Sequence, residues 1–350
     1  MFLDVPARRT RHRFLPVGEI GMSTPPALLV SVVVPTYRRP RMLRRCLRAL
    51  TWQDVDPRRF ELLVVDDGPD RETRRVVETL AREHAARGLS VRYLDAEGTQ
   101  GPSGARNRGW EEARAPIVAF TDDDTIPTPS WLRRGLDAMT DGVDAVVGRI
   151  RVPLPDRPRD HERDTGGLEH AEFATANCLV RKRALVAVGG FDERFTLAWR
   201  EDSDLQFTLL AHGRRIARAE DAIVLHPVRP APVGVSVGQQ RKVFFDALLY
   251  KKHPLLYRAR IRRRPPWNYF AIVAAALATV AGAAADLPWL AWCGLAVWSA
   301  LTLHFFLARL RGASLAPSHV VEMLVTSVLI PPLSLFWRLR GAWHFKARFL

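Results

Sequence analysis

The sequence is poor in cysteine: Cys46, Cys178 and Cys293 are all it has, and they are far apart. That is too few for a disulfide framework and the wrong spacing for a zinc cluster, so a thiol-permissive, cytosol-facing compartment is expected. The first residues, MFLDVPARRTRHRFLP, carry basic side chains with no apolar run after them, which is not the pattern of a secretory signal. Acid is scarce at the other end. Residues 251–350 hold only Asp286 and Glu322 against 13 Lys and Arg, which is +11 of the chain's net +15. A nucleic-acid binder would carry a basic stripe with interleaved aromatics on a soluble domain. Here the cations flank apolar runs, as in membrane proteins, and no nucleic-acid partner is expected. With 47% hydrophobic and 25% charged residues in 350, a disordered chain is excluded, and length alone suggests about two domains.

From Leu28 onward strand and helix patterns alternate. LLVSVVVP, FELLVVDD, LSVRYLD and APIVAFTDDD read as strands, three of them continuous apolar runs of the buried parallel type. Helices are predicted at 41–52 and 71–87, at SGARNRGWEEAR with Ser103 as cap, and after Thr128 and Pro129 as N-cap and first helical residue. DAVVGRIRV and FATANCLVRK continue the strands, RALVAVGG and EDSDLQFTLLAHG the helices, and 215–226 is a last strand ending at His226. The pattern predicts an α/β sheet with helices on both faces, whose ligands sit beyond the carboxyl ends of the strands. The expected organisation is a flexible basic arm at 1–27, an α/β domain at 28–230 with a Pro-, Asp- and Arg-rich loop at 153–170, and a connector at 231–267. The connector combines an amphipathic helix at 236–252 with the basic run RARIRRR.

The tail differs. Asn268–Ala285 and Leu287–Ala308 are 18 and 22 residues without Lys, Arg, Asp or Glu, long enough to cross a bilayer. They predict a transmembrane hairpin at 268–310 turning at Asp286, with both basic ends cytoplasmic. Within 311–350, Ser318–Trp337 is interrupted by Pro331 and Pro332 and carries Glu322. It reads as a third span, a re-entrant segment or an interfacial helix, and the basic tail behind it argues against a simple third crossing.

The chemistry-bearing residues cluster at strand ends. In TDDDT, Asp122 and Asp124 point the same way from an extended segment and suit one face of a divalent cation, although a solvated acidic turn reads as well. Asp66 and Asp67 in VVDDGPD suit a base or ribose, or an ordinary Asx-Gly turn. GPSGARNRG offers close backbone approach with Arg106 near a helix start, without the lysine of a P-loop. Glu201 and Asp202 in WREDSDL crowd a helix N-terminus. His226 precedes Pro227 at a strand end, where a lone histidine is more often structural.

In order, VSVVVPTYRR, LLVVDDGPD, GPSGARNRG, VAFTDDDTIPTPSWL, ATANCLVRKRALVAVGGFDERF, WREDSDLQFTLLAHG and LHP resemble family 2 glycosyltransferases, the inverting nucleotide-sugar enzymes of the GT-A fold, over about residues 30–227. The resemblance implies a Rossmann-like sheet and a donor pocket lined by Pro35, Thr36, Tyr37, Asp66, Asp67, Gly104, Arg106, Asn107, Asp122 and Asp123. It implies Mg²⁺ or Mn²⁺ on Asp122, Asp124 and His226, Asp202 as catalytic base, and an acceptor side shaped by Gly190, Trp199 and Glu201. The QxxRW motif of processive relatives is missing: QQRKVFF has Lys242 where Trp would be expected, so single-sugar transfer is implied. The expected partners are a nucleotide-sugar donor, a lipid-linked or glycan acceptor, and an inner or plasma membrane with the catalytic part cytoplasmic. A nucleotidyltransferase or an inactive nucleotide-sugar-binding scaffold are the alternative readings.

Overall fold

The computed structural model describes residues 27–96, 98 and 101–349; the predicted basic arm lies outside them except for Ala27. Strands β1 (Val30–Thr36), β2 (Phe60–Asp66), β3 (Ser90–Asp95), β4 (Ile117–Phe120), β5 (Ile126–Pro127), β6 (Ala145–Arg151), β7 (Cys178–Arg181) and β8 (Ile216–Leu225) form one eight-stranded mixed sheet in the order β3-β2-β1-β4-β7-β6-β8-β5. β1 to β4 run parallel, while β7 is antiparallel to both β4 and β6. The helices of this body are α1 (Pro40–Leu50), α2 (Arg71–His84), α3 (Gly101–Glu112), α4 (Trp131–Asp137), α5 (Asp160–Gly166), α6 (Lys182–Val188) and α7 (Glu201–Ala211). One core fills each face of the sheet. Val32, Val34, Leu62 and Val64 pack with Leu43, Leu47 and Val77 on one side, and Val33, Leu63 and Val65 with Ala105 and Leu205 on the other. Both faces of β1 and β2 are therefore covered, which explains their unbroken apolar runs.

Chain order places the site. The path runs β1, β2, β3 outward on one side, then returns to β4 on the other flank of β1. The reversal opens a crevice beyond the carboxyl ends of β1 and β4, where ligands bind in such sheets.

Several local expectations shift. Ser103 lies inside α3, its hydroxyl donating to Phe195 O (3.1 Å). The helix begins at Gly101 (φ +84°), where a Cβ would meet Thr196 O at 2.5 Å, so only glycine fits. α4 starts after Ser130, with Thr128 accepting from Trp131 N rather than capping. The 153–170 loop contains α5, whose start is fixed by Glu162 accepting from Arg159 N (2.6 Å).

Beyond β8 come α8 (Val235–Gln239), a 3₁₀ turn, α9 (Phe244–Lys252), α10 (Pro254–Leu256), α11 (Trp267–Ala284), α12 (Pro288–Leu310) and α13 (Pro317–His344). The single amphipathic helix expected at 236–252 is thus two short helices. α9 buries Phe245, Asp246, Ala247, Leu248 and Leu249, because α13 covers the side turned away from the sheet. The last three helices are each long and apolar enough to cross a membrane. α11 and α12 form the predicted hairpin, turning at Asp286 (φ +54°). α13 is one continuous helix through Pro331 and Pro332, where a break was expected.

Candidate active site

The switch point is lined by acids from three elements. After β4 the chain makes a tight turn, fixed by Thr125 donating from its hydroxyl to Asp122 O (2.7 Å) and by Cys46 Sγ on the same oxygen (3.4 Å). Asp123 points back toward β1, accepting from Thr36 Oγ1 (2.7 Å) and pairing with Arg39 (3.0 Å). Burial raises its carboxyl to about 6, with Arg39 opposing the shift.

Asp122 and Asp124 flank Asp123, and Arg39 also reaches Asp124 (3.8 Å). Together with His226 they offer three ligand atoms within 4.8 Å of one another. His226 follows β8, its backbone N held by Arg151 O (2.8 Å). Its Nε2 lies 3.6 Å from Asp124 Oδ1, and its buried Nδ1 has no hydrogen-bond partner among the described residues. Burial raises the Asp122 carboxyl, but Arg106 and His226 outweigh it and hold the group below the usual carboxylate range. Two carboxylates and one imidazole, converging from one side and largely shielded from water, fit Mg²⁺ or Mn²⁺ with positions left for phosphate and water.

Glu201 and Asp202 open α7, immediately after Arg200 in the left-handed region (φ +77°). Arg106, 3% exposed, reaches across from α3 to bridge Asp122 (2.8 Å) and Glu201 (3.2 Å). Asp202 accepts from the Thr175 backbone N (3.2 Å) and hydroxyl (2.7 Å), and makes no ion pair among the described residues. Burial pushes its carboxyl above the usual range, with Arg106 opposing. Glu201 is pushed up as well, by burial and then by the Asp202 charge. A carboxylate fixed by two donors, without a direct ion pair and raised in basicity by burial, is suited to proton abstraction.

The structure therefore gathers Thr36, Arg106, Asp122, Asp123, Asp124, Glu201, Asp202 and His226. Pro35 and Gly104 sit in β1 and α3 beside them. Tyr37 is an exposed ring laid over Gly68, where a Cβ would come 2.4 Å from it. Several of the expected site residues have partners that the sequence did not show. Arg106 is paired with two carboxylates. Asp66 is fully buried, accepting from Gly68 N, Asp70 N and Tyr93 OH, so the open strand-end acid is Asp67, which accepts from Gly101 N. Asn107 holds Phe191 O, Phe191 N and Glu193 (2.9 Å each) and the Trp110 indole, so it positions the 190–193 turn. Gly190 (φ +70°) closes against that same Asn107, where a Cβ would lie 2.6 Å from Oδ1. Trp199, partly exposed, donates to Asp246 (3.0 Å) and has the cations of Arg200 and Lys242 near its ring.

Sequence reasoning missed Arg39, Thr175 and Arg229. Arg229 Nε lies 3.0 Å from Asp124 Oδ2. Its only signal was its position three residues after His226.

The sequence model of glycosyl transferase family 2 matches residues 31–191. Glycosyltransferase AglE of Haloferax volcanii is 30% identical over 213 residues, 57% of this chain and 67% of the relative. The GalNAc(5)-diNAcBac-PP-undecaprenol beta-1,3-glucosyltransferase of Campylobacter jejuni is 32% identical over 124 residues, 35% of this chain and 38% of that protein. Among solved structures, the mannosyltransferase PcManGT of Pyrobaculum calidifontis, in complex with GDP-Man and Mn²⁺, superposes at a TM-score of 0.55 with 18% identity, over 90% of this chain and 87% of that one. That likeness gives the fold, GT-A, and the likeness to AglE over two thirds of its length gives the lineage: the chain belongs to glycosyl transferase family 2 and is an enzyme that transfers glycosyl groups.

Proposed function

We propose that the chain moves one sugar from a nucleoside-diphosphate donor to a hydroxyl of a lipid-linked or other membrane-associated glycan acceptor, inverting the anomeric centre in a single displacement. The convergence of Asp122, Asp124 and His226 beside an unpaired Asp202 carries this reading. Asp202 takes the proton of the acceptor hydroxyl as its oxygen bonds to the anomeric carbon and the bond from that carbon to the leaving phosphate oxygen breaks. Asp122, Asp124 and His226 would hold a divalent cation, which would offset the negative charge gathering on the leaving diphosphate. The imidazole among the ligands favours Mn²⁺ over the harder Mg²⁺. Arg39 and Arg229, which pair with Asp123 and Asp124, would meet the diphosphate. Arg106 keeps Asp122 and Glu201 from repelling Asp202 out of place. Asp67 and Tyr37 border the nucleoside.

The hairpin supports the acceptor class: an anchored enzyme gains effective concentration only toward an acceptor in the same bilayer. The Campylobacter relative's name specifies an undecaprenol-linked acceptor. The basic flanks support a cytoplasmic side of an inner or plasma membrane as the side that carries the α/β body.

The test is a screen of nucleotide sugars with purified full-length protein in Mn²⁺, Mg²⁺ or excess chelator, reading the nucleotide product. Release of a nucleoside diphosphate that chelator abolishes is expected. Pyrophosphate as product would point to nucleotidyl transfer instead, and full activity in chelator would remove the metal from the mechanism.

A further inference from the structure

We propose that α13, although long and apolar enough to span a bilayer, lies in the plane of the membrane, with its outer face among anionic lipid headgroups and the first acyl carbons, and seats the α/β body on the surface. This goes beyond the glycosyl-transfer reading and does not depend on it.

The argument begins with where α13 is held. Near its start, His319 Nε2 accepts from Asp160 N (3.1 Å) and Glu322 accepts from Gly234 N (2.7 Å). Near its end, Trp337 meets the ring of Phe244 (6.4 Å), and a Cβ on Gly341 would lie 2.4 Å from Phe244 O. Just past the helix, Lys251 donates to Phe345 O (2.8 Å). From His319 to Gly341 an α-helix rises about 33 Å. That equals the roughly 30 Å hydrocarbon thickness of a bilayer. A crossing helix would carry one of these ends to the far side of the membrane, yet both rest on the same water-soluble body.

The faces agree. Toward the rest of the protein α13 buries the polar groups of His319, Thr326, Ser327, Ser334 and Arg338 among apolar neighbours, and the histidine and arginine would be costly in lipid. On the opposite side Val321, Val325, Val328, Phe336, Leu339 and Trp343 stand exposed at spacings of three and four residues, closing to a single stripe across Pro332. Composition alone hides this, because one face is polar toward protein and the other apolar toward the outside.

The occupant of the stripe is set by its neighbours. Arg309, at the last turn of α12, donates to Thr326 and Ser327 (2.9 Å each), so the bilayer that holds the hairpin begins where α13 lies. Trp267 at the start of α11 and Trp343 on α13 are both exposed aromatics of the kind that settle at headgroup depth. Arg262, Arg263 and Arg264 precede α11, Arg311 follows α12, and Arg340 and Lys346 lie at the end of α13, so cations that complement anionic headgroups flank these helices.

The experiment uses the full chain in a Cys293→Ser background, since Cys46 and Cys178 are buried. Single cysteines at Ala86, Asp286 and Lys346 are labelled with a membrane-impermeant maleimide in sealed, oriented vesicles. Ala86→Cys and Lys346→Cys should react from one side and Asp286→Cys from the other. Lys346→Cys reacting with Asp286→Cys would overturn the proposal in favour of a third crossing. A second arm places a fluorophore at Val325→Cys or Leu339→Cys in phosphatidylglycerol/phosphatidylethanolamine vesicles containing brominated lipids. Equal, shallow quenching at both sites is expected. Quenching that deepens toward Leu329→Cys would show a re-entrant path, and no quenching at any site would mean that protein, such as a second copy, covers the stripe; either result overturns it.

Discussion

Beyond β1 and β4, the carboxyl groups of Asp122, Asp123, Asp124, Glu201 and Asp202 face the guanidinium groups of Arg39, Arg106 and Arg229 within a few ångströms. Along the 28 residues of α13 the only acid is Glu322, and it accepts from a backbone N–H. The first region concentrates like charge where water is thin and leaves a deficit of cations. The second disperses charge to rims and ends. An excess of buried negative charge is stable only with a cation to meet it, whereas a scarcity of charge over such a length needs a hydrocarbon neighbour. On the proposed reading the two regions call for different partners, a cation-bound diphosphate and a lipid surface, by opposite treatments of the same quantity.

Removing the proton acceptor should separate chemistry from binding. Asp202→Asn is expected to lower turnover by about 10²–10⁴-fold with donor affinity retained. The sign for stability runs the other way. The folded-state pKa of Asp202 is raised, so the fold favours its protonated form and loses stability as pH rises through that pKa. The neutral amide mimics the protonated form, so Asp202→Asn should raise thermal stability, by about 1 kcal/mol. Wild-type turnover in this variant, or a clear loss of stability, would break the account of Asp202 as a buried, unpaired base.

Arg106→Met strips the counter-charge from Asp122 and Glu201 together. Breaking a buried pair by removing one partner costs about 3–5 kcal/mol, and a denaturation midpoint close to wild type would show that these acids do not depend on it. Gly190→Ala, strained by φ +70° and blocked by Asn107, should cost about 1–3 kcal/mol. A pH profile gives the smallest effect. Because burial raises Asp202, the acid limb of turnover should fall above the ordinary aspartate value of about 3.9, activity rising with pH as the base ionises. A limb at or below that value would contradict the raised base.

What could be read from residues alone follows the same division. Buried parallel strands have no polar face, so LLVSVVVP and FELLVVDD announced β1 and β2, and acids at their ends announced the crevice. Asp122, Asp124 and His226, named from their motifs, lie within reach of one another in the fold. The roles of Arg106, Asn107 and Trp199 were not legible, because each is decided by a partner dozens of residues away: Glu201, Phe191 and Asp246. Arg39 and Arg229 were two arginines among many until the fold laid them on Asp123 and Asp124. In the tail, hairpin length was plain. The path of α13 was not, because the α/β body that it lies against is set by packing rather than by the composition of the helix.

The most direct measurement is a Mn²⁺ titration followed by electron paramagnetic resonance, with wild-type, Asp124→Ala and His226→Ala proteins, in the presence and absence of nucleoside diphosphates. The account predicts one tight Mn²⁺ per wild-type chain in the presence of a matching nucleoside diphosphate, strongly weakened in both variants. Mn²⁺ bound equally by all three proteins, or by none with any nucleotide, would contradict it.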